Sequence, residues 1–386
     1  MSSGIFSLNE AHNEQVTGDW SKASEVWMIG SPVIVSEGNV GYVTGGMGTG
    51  DITLSTVERI DFTNDTSITI RGSLSAARYN CEAVGSRDYG YVAAGRFYPG
   101  STPEYYSSVE RIDYGNDTLT ASVRGPLSRV ISNNFSATGN NSYGYVAGGY
   151  SGGNKTTVDR IDYSNDNATA VVKGPLAAAN GGIASAGSVS YAYFCCGWTG
   201  SSHATTVQRI DYSNDTATAI VKGSTTVPHS YVDGISEGKY AYIGSGVSPN
   251  TTVVDRIDYS NDTATASAKG PLSVQHSNYS ATGNTSYGWI NGGSGMISSV
   301  DRIDYSNDTA TTSARSPLNQ AKYYTGSTSA SNDGLASGLQ GTASNIGVDR
   351  VPTGTDFGYF AGGPNTTVDR IDYSSDTPTA TAKGPL

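Results

Sequence analysis

Arginine and aspartate stand two residues apart at seven places in this chain, each time in the phrase Arg-Ile-Asp. The arginines are Arg59, Arg111, Arg160, Arg209, Arg256, Arg302 and Arg370, followed by Asp61, Asp113, Asp162, Asp211, Asp258, Asp304 and Asp372. A guanidinium beside a carboxylate could bind an anion or orient a proton transfer. A reaction needs such a pair once, whereas a scaffold needs it in every unit, so the expected role is structural. An arginine fork satisfies several carbonyls or carboxylates at once, which suits interfaces poor in large apolar residues.

Other arrangements are weaker. Asp162 and Asp166 in "DYSND" have a spacing that could serve Ca²⁺, but hard-cation loops gather more carboxylates than two. Asn64, Asn116, Asn214, Asn261 and Asn307 each begin Asn-Asp-Thr, formally a glycosylation acceptor. The same residues suit a tight turn, and the turn reading is preferred. The glycine run "GGMGTG" (45–50) has no lysine in phosphate-loop register. Cys195 and Cys196 are adjacent, Cys81 is distant, and four histidines are scattered. No metal or cofactor site is expected from these, and no nucleophile–base–acid set is visible.

The elements that position these residues follow from repetition. A second phrase precedes each arginine: "GYVTGG" (41–46), "GYVAAG" (90–95), "GYVAGG" (144–149), "AYFCCG" (192–197), "AYIGSG" (241–246), "GWINGG" (288–293) and "GYFAGG" (358–363). Successive arginines lie 52, 49, 49, 47, 46 and 68 residues apart, a period typical of propellers or solenoids. Within one unit, 136–139, 143–149, 157–163 and 168–174 read as strands A to D. "SND" forms the turn between C and D, and "GPL" ends D because proline cannot donate to a ladder.

The expectation is therefore an all-β chain, a seven-bladed β-propeller of four-stranded blades over 31–386. Strand A of the first blade falls near 32–37, and an irregular insertion at about 329–356 interrupts the last blade. The ring is expected to close without exchanging a strand between its ends. Residues 1–30 form an extension in which Ser7 and Glu10 could cap a short helix.

Composition agrees. The chain has 386 residues, 49 glycines, 26 tyrosines, 15% charged residues and a net charge of −11. The acidic balance argues against nucleic acid and anionic lipid as partners. No run approaches the ~20 apolar residues of a spanning helix. The opening "MSSGIFSLNEAHNEQ" lacks the basic and apolar regions of a signal peptide.

An aromatic-apolar strand ending in Gly-Gly, a loop, and then "V-x-R-I-D-Y" resembles the kelch repeat, with Ala, Thr or Ile where kelch units usually carry tryptophan. The longer text "DRIDYSNDTATA…KGPL" resembles repeats in virion structural proteins of marine bacteriophages, notably those infecting cyanobacteria. The resemblance covers roughly 31–386. It implies a non-enzymatic component of a tail fibre or other capsid or tail appendage, assembled in the host cytoplasm and located in the virion. The implied partners are other virion proteins and a host surface glycan or protein receptor, with self-association compatible and no membrane insertion. An intracellular kelch-type adaptor is the alternative, although such adaptors usually carry a helical partner domain. A carbohydrate-active propeller enzyme is a third reading, and acids at unrepeated positions near a pore mouth would distinguish it.

Chain direction puts the A–B and C–D turns on one face and the B–C and D–A loops on the other. The first face repeats almost verbatim, and the second varies. The candidate binding rim on that second face is Phe97, Tyr98, Tyr105, Tyr106, Trp198 and His203, aromatics suited to stacking on sugars or anchoring proteins. Phe6, Leu8, Trp20, Trp27 and Met28 in the extension are candidates for attachment to the particle.

Overall fold

The strand B phrases hold the centre of each blade. Tyr143–Tyr150 is buried over all but its two ends, because each blade is packed between two others and both faces of its inner strands lie away from water. Strand C alternates less evenly: in Val158–Asp162 only Arg160 and Asp162 keep partial exposure. The computed structural model describes residues 39–247 and 250–329, and the backbone of Phe357–Ala361, Thr367–Asp372 and Thr381–Pro385. Its contacts divide the chain into a unit spanning 36–342 and a second unit formed by 1–35 with 343–386.

The larger unit is a β-propeller of antiparallel four-stranded sheets. Five blades take their innermost strand in chain order, from Glu82–Gly85, Asn133–Gly139, Ala184–Gly187, Gly234–Ser236 and Ser280–Gly283. The first blade does not. Its Val40–Thr44 pairs with Gly326–Ser329 from the far end of the unit, in the register Tyr42↔Thr328. The six innermost strands follow one another round the axis, with Gly326–Ser329 lying between Glu82–Gly85 and Ser280–Gly283.

This corrects the expected blade count and the expected closure. Among the described residues the ring holds six blades, and it closes by strand exchange. The seventh repeat donates its strand A to blade 1. Its remaining strands, Phe357–Ala361, Thr367–Asp372 and Thr381–Pro385, form a separate three-stranded sheet in the smaller unit. The text could not decide this, because strand B reads "GYV" in the first copy and "GYF" in the last, and "GSTS" fits beside either. The proposed first strand near 32–37, the extension with its capping box, and the insertion beyond Ser329 lie outside the described residues.

The C–D turn is a short 3₁₀ turn rather than a plain hairpin. Asp162 caps Tyr163–Asn165 by accepting from the Ser164 amide, and Asp113, Asp211, Asp258 and Asp304 do the same in their blades. An extended cap residue with an accepting carboxylate satisfies an otherwise orphaned donor. The glycine of "KGPL" has a different reason. At Gly174 a Cβ would sit 1.9 Å from the Ala217 carbonyl oxygen, while the Gly174 amide donates to the Asp215 carbonyl at 2.8 Å. Adjacent blades touch backbone to backbone there, and only glycine permits it.

Candidate binding face

The repeated arginines do not pair with the aspartates two residues on. Each one reaches the turn aspartate of the next blade: Arg59 to Asp117, Arg111 to Asp166, Arg160 to Asp215, Arg209 to Asp262, Arg256 to Asp308, and Arg302 round the ring to Asp65. The distances run from 2.6 to 2.9 Å. A second cation joins each aspartate, such as Lys222 on Asp262 at 3.3 Å. The strand B aromatic adds a hydrogen bond, with the Tyr193 hydroxyl donating to Asp262 at 3.0 Å. The tyrosine ring then stacks on the tyrosine opening the neighbouring turn, Tyr193 on Tyr259 at 4.7 Å. Each arginine from blades 2 to 6 also lies over a tyrosine of its own blade, Arg209 over Tyr191 at 4.0 Å. The arrangement is a blade-to-blade clamp repeated round the axis. The side chains of Arg370 and Asp372 lie outside the described residues.

The clamp aspartates were within reach of the sequence, since Asn-Asp follows Arg-Ile-Asp in six of its seven copies. The signal missed was that an Asx turn already has its capping acid, which leaves the second carboxylate free to pair elsewhere. The residue one position before each of these arginines anchors a D–A loop, and it is an acid in five blades and Gln208 in blade 4, where its side-chain carbonyl accepts from the Ala178 amide. Glu110 pairs with fully buried Arg78, and Glu58 with fully buried Lys322 at 2.9 Å.

The opposite face carries the loops that differ. Six equivalent positions around the channel mouth have left-handed backbone: Asn80, Asn134, Gly182, Tyr231, Asn278 and Tyr324. Asparagine and glycine tolerate this conformation, whereas tyrosine is strained in it, so the two tyrosines are placed at a conformational cost. Of the expected rim, Tyr98 and Tyr105 are exposed (38% and 43%). Phe97 and Tyr105 belong to a small hairpin of Arg96–Phe97 with Glu104–Tyr105. Tyr106 instead covers the buried Arg78, 5.0 Å from its ring. Trp198 and His203 lie in the blade 4 loop, 4.7 Å apart, with His203 Nδ1 2.6 Å from the Ser230 hydroxyl. The rim is thus brought to one face but split between two blades.

Unrepeated acids occupy the channel. Its wall is mostly Gly, Ala, Ser and Thr, with Asp233 among them and Glu82 at the mouth. Burial pushes the Asp233 carboxyl up to about 7, although the Ala281 and Gly234 amides donate to it. Burial, and then the charge of Asp233, hold the Glu82 carboxyl well above the usual carboxylate range. A raised native value means the folded state binds the proton more tightly, so stability is full below the ordinary carboxylate range and falls as pH rises towards 7. Glu82→Gln should therefore raise the melting temperature at pH 8 by several degrees and leave it nearly unchanged at pH 4. Equal shifts at both pH values would show that the Glu82 carboxyl is not raised in the folded state.

Burial also raises the thiols of Cys81 and Cys196 to about 12, which makes them unreactive near neutrality. Among the described residues no three His, Cys, Asp or Glu converge as a metal site would require. No described helix is long and apolar enough to cross a membrane.

No family model matches the chain, and no curated protein matches it. Among solved structures, that of YjhT aligns with 66% of this chain and 88% of its own, at a TM-score of 0.54 and 11% identity. At that identity the likeness shows fold alone, and the fold is an all-β propeller. The class defined by fold and face is a ring of near-identical blades bearing one variable surface.

Proposed function

We propose that the protein is a non-enzymatic virion structural protein of a bacteriophage, part of a tail fibre or other capsid or tail appendage. In this reading the loop face meets a neighbouring protein or a host receptor. One observation carries it: identical clamps recur between blades while exposed aromatics gather on the single face whose loops differ. Evolution of such a surface is free of the scaffold that holds it. The resemblance of the repeat text to virion proteins supplies the setting, and residues 1–30 are assigned to attachment.

One observation favours a carbohydrate-active enzyme, namely the two unrepeated channel carboxylates, since a pair of acids serves glycoside hydrolysis. The channel cavities near them measure about 20 and 30 Å³. That is room for a water molecule or two rather than a pyranose ring, so the binding reading is preferred.

Mass spectrometry of purified particles tests the assignment. The full chain should be present in stoichiometric amounts, and a chain lacking residues 1–30 should fold but be absent. A protein found only in the infected-cell lysate would defeat the virion assignment. Normal incorporation of the truncated chain would defeat the attachment role alone.

A further inference from the structure

The loop face carries an unusual concentration of tyrosine beside one cation. Tyr79 and Tyr324 lie 6.2 Å apart by ring centroids, and Tyr323 and Tyr324 4.6 Å apart. Tyr98 and Tyr105 are close enough to Tyr79 to raise its hydroxyl's proton affinity, after the larger effect of burial. Arg96 sits in this group with its guanidinium 4.5 Å over the Tyr79 ring. With its amide turned to satisfy both donors, Asn80 accepts from Arg96 Nε at 3.1 Å and Nη2 at 3.0 Å.

Arg96 differs from its fellows. Among the arginines whose side chains are described, all except Arg87 and Arg96 have a carboxylate within 4.0 Å. Arg87 stands in an A–B turn, on the opposite face. Arg96 is thus held in place by a ring and an amide, with no acid among the described residues to neutralise it. The bordering acids Asp51 and Glu104 are exposed and do not pair with it. A guanidinium fixed in this way, with Nη1 free of any partner among the described residues, matches a carboxylate ligand. The half-exposed tyrosine faces around it match the apolar face of a pyranose.

We infer that this cluster binds an acidic sugar, its carboxylate on Arg96 and its ring on the tyrosines of blades 1 and 2. The inference rests on the loop face being the recognition surface. Residues that would carry it are Arg96, Tyr98, Tyr105, Tyr323 and Tyr324, with Asn80 positioning Arg96. The attraction is Coulombic at an exposed site, so added salt should weaken it.

The test is titration of the full chain with oligogalacturonate and sialyllactose, against galactotriose and lactose as their uncharged counterparts. At least one acidic probe should bind at least 10-fold more tightly than its neutral counterpart, and weaken several-fold between 50 mM and 500 mM salt. Arg96→Gln should remove that preference, Arg96→Lys should restore part of it, and Tyr105→Ala should weaken acidic and neutral binding alike. Melting curves of the variants confirm that each is folded. The salt response and probe preference of the unmodified protein stand even if a variant fails to fold. Equal affinity for charged and neutral probes, or binding to none, overturns the inference. If Tyr105→Ala abolishes retention on host envelope while Arg96→Gln does not, the acidic-sugar assignment falls and the recognition face stands.

Discussion

Asp262→Ala should lower the melting temperature by roughly 10 °C, while Asp211→Ala lowers it by only a few degrees. Asp262 is nearly buried and receives Arg209, Lys222 and the Tyr193 hydroxyl, all from the preceding blade. Removing it strands two partly buried cations and an inward hydroxyl. Breaking such a pair costs about 3–5 kcal/mol, and the lower end applies because Arg209 keeps 18% of its side-chain surface. For a unit of this size each kcal/mol moves the midpoint by about 2–4 °C. Asp211 only caps an exposed 3₁₀ turn, a contribution of about 1 kcal/mol. Thermal melts of the two variants separate the cross-blade clamp from a pairing inside Arg-Ile-Asp. An Asp211 variant as unstable as the Asp262 variant would refute the clamp.

Truncation should have an all-or-none outcome. A chain ending at Thr342 keeps the strand Gly326–Ser329 and should melt cooperatively. A chain ending at Thr325 loses it and should not fold. That strand supplies the inner ladder of blade 1, and Thr328 and Ser329 are fully buried. Thr328 also meets the Tyr114 hydroxyl of blade 2 at 2.8 Å. Without it Val40–Thr44 presents an unpaired edge inside the ring and loses the ladder that satisfies its inward backbone groups. A ring of seven blades would instead lose cooperativity at either cut, because both remove most of its last blade. Circular dichroism with calorimetry on the two chains decides between the closures.

Much of the local architecture was legible in the residues. The phrase "GYVAGG", alternation in "VDRIDY", the turn text "SND" and the stop at "GPL", with variants such as "GND" and "GSL" in other copies, marked strands B, C and D. The variable loops were legible too, and with them Tyr98 and Tyr105. Less legible were Glu82 and Asp233, which look like ordinary polar residues until the ring brings their strands round one channel. Arg96 was equally silent, because its distinction is the absence of an acid that its fellows have found.

The sequence by itself determined the all-β class, the blade unit and the existence of a scaffold face and a variable face. These depend on interactions within about 50 residues, where period-two alternation and turn chemistry leave direct marks. Only the tertiary structure decided that Gly326–Ser329 pairs with Val40–Thr44 and that Arg209 takes Asp262 rather than Asp211. Near-identical copies offer near-identical partners, so the text is degenerate for every contact between them. The choice falls to ring geometry: how many twisted blades meet round one axis, and which strand edge remains when they do.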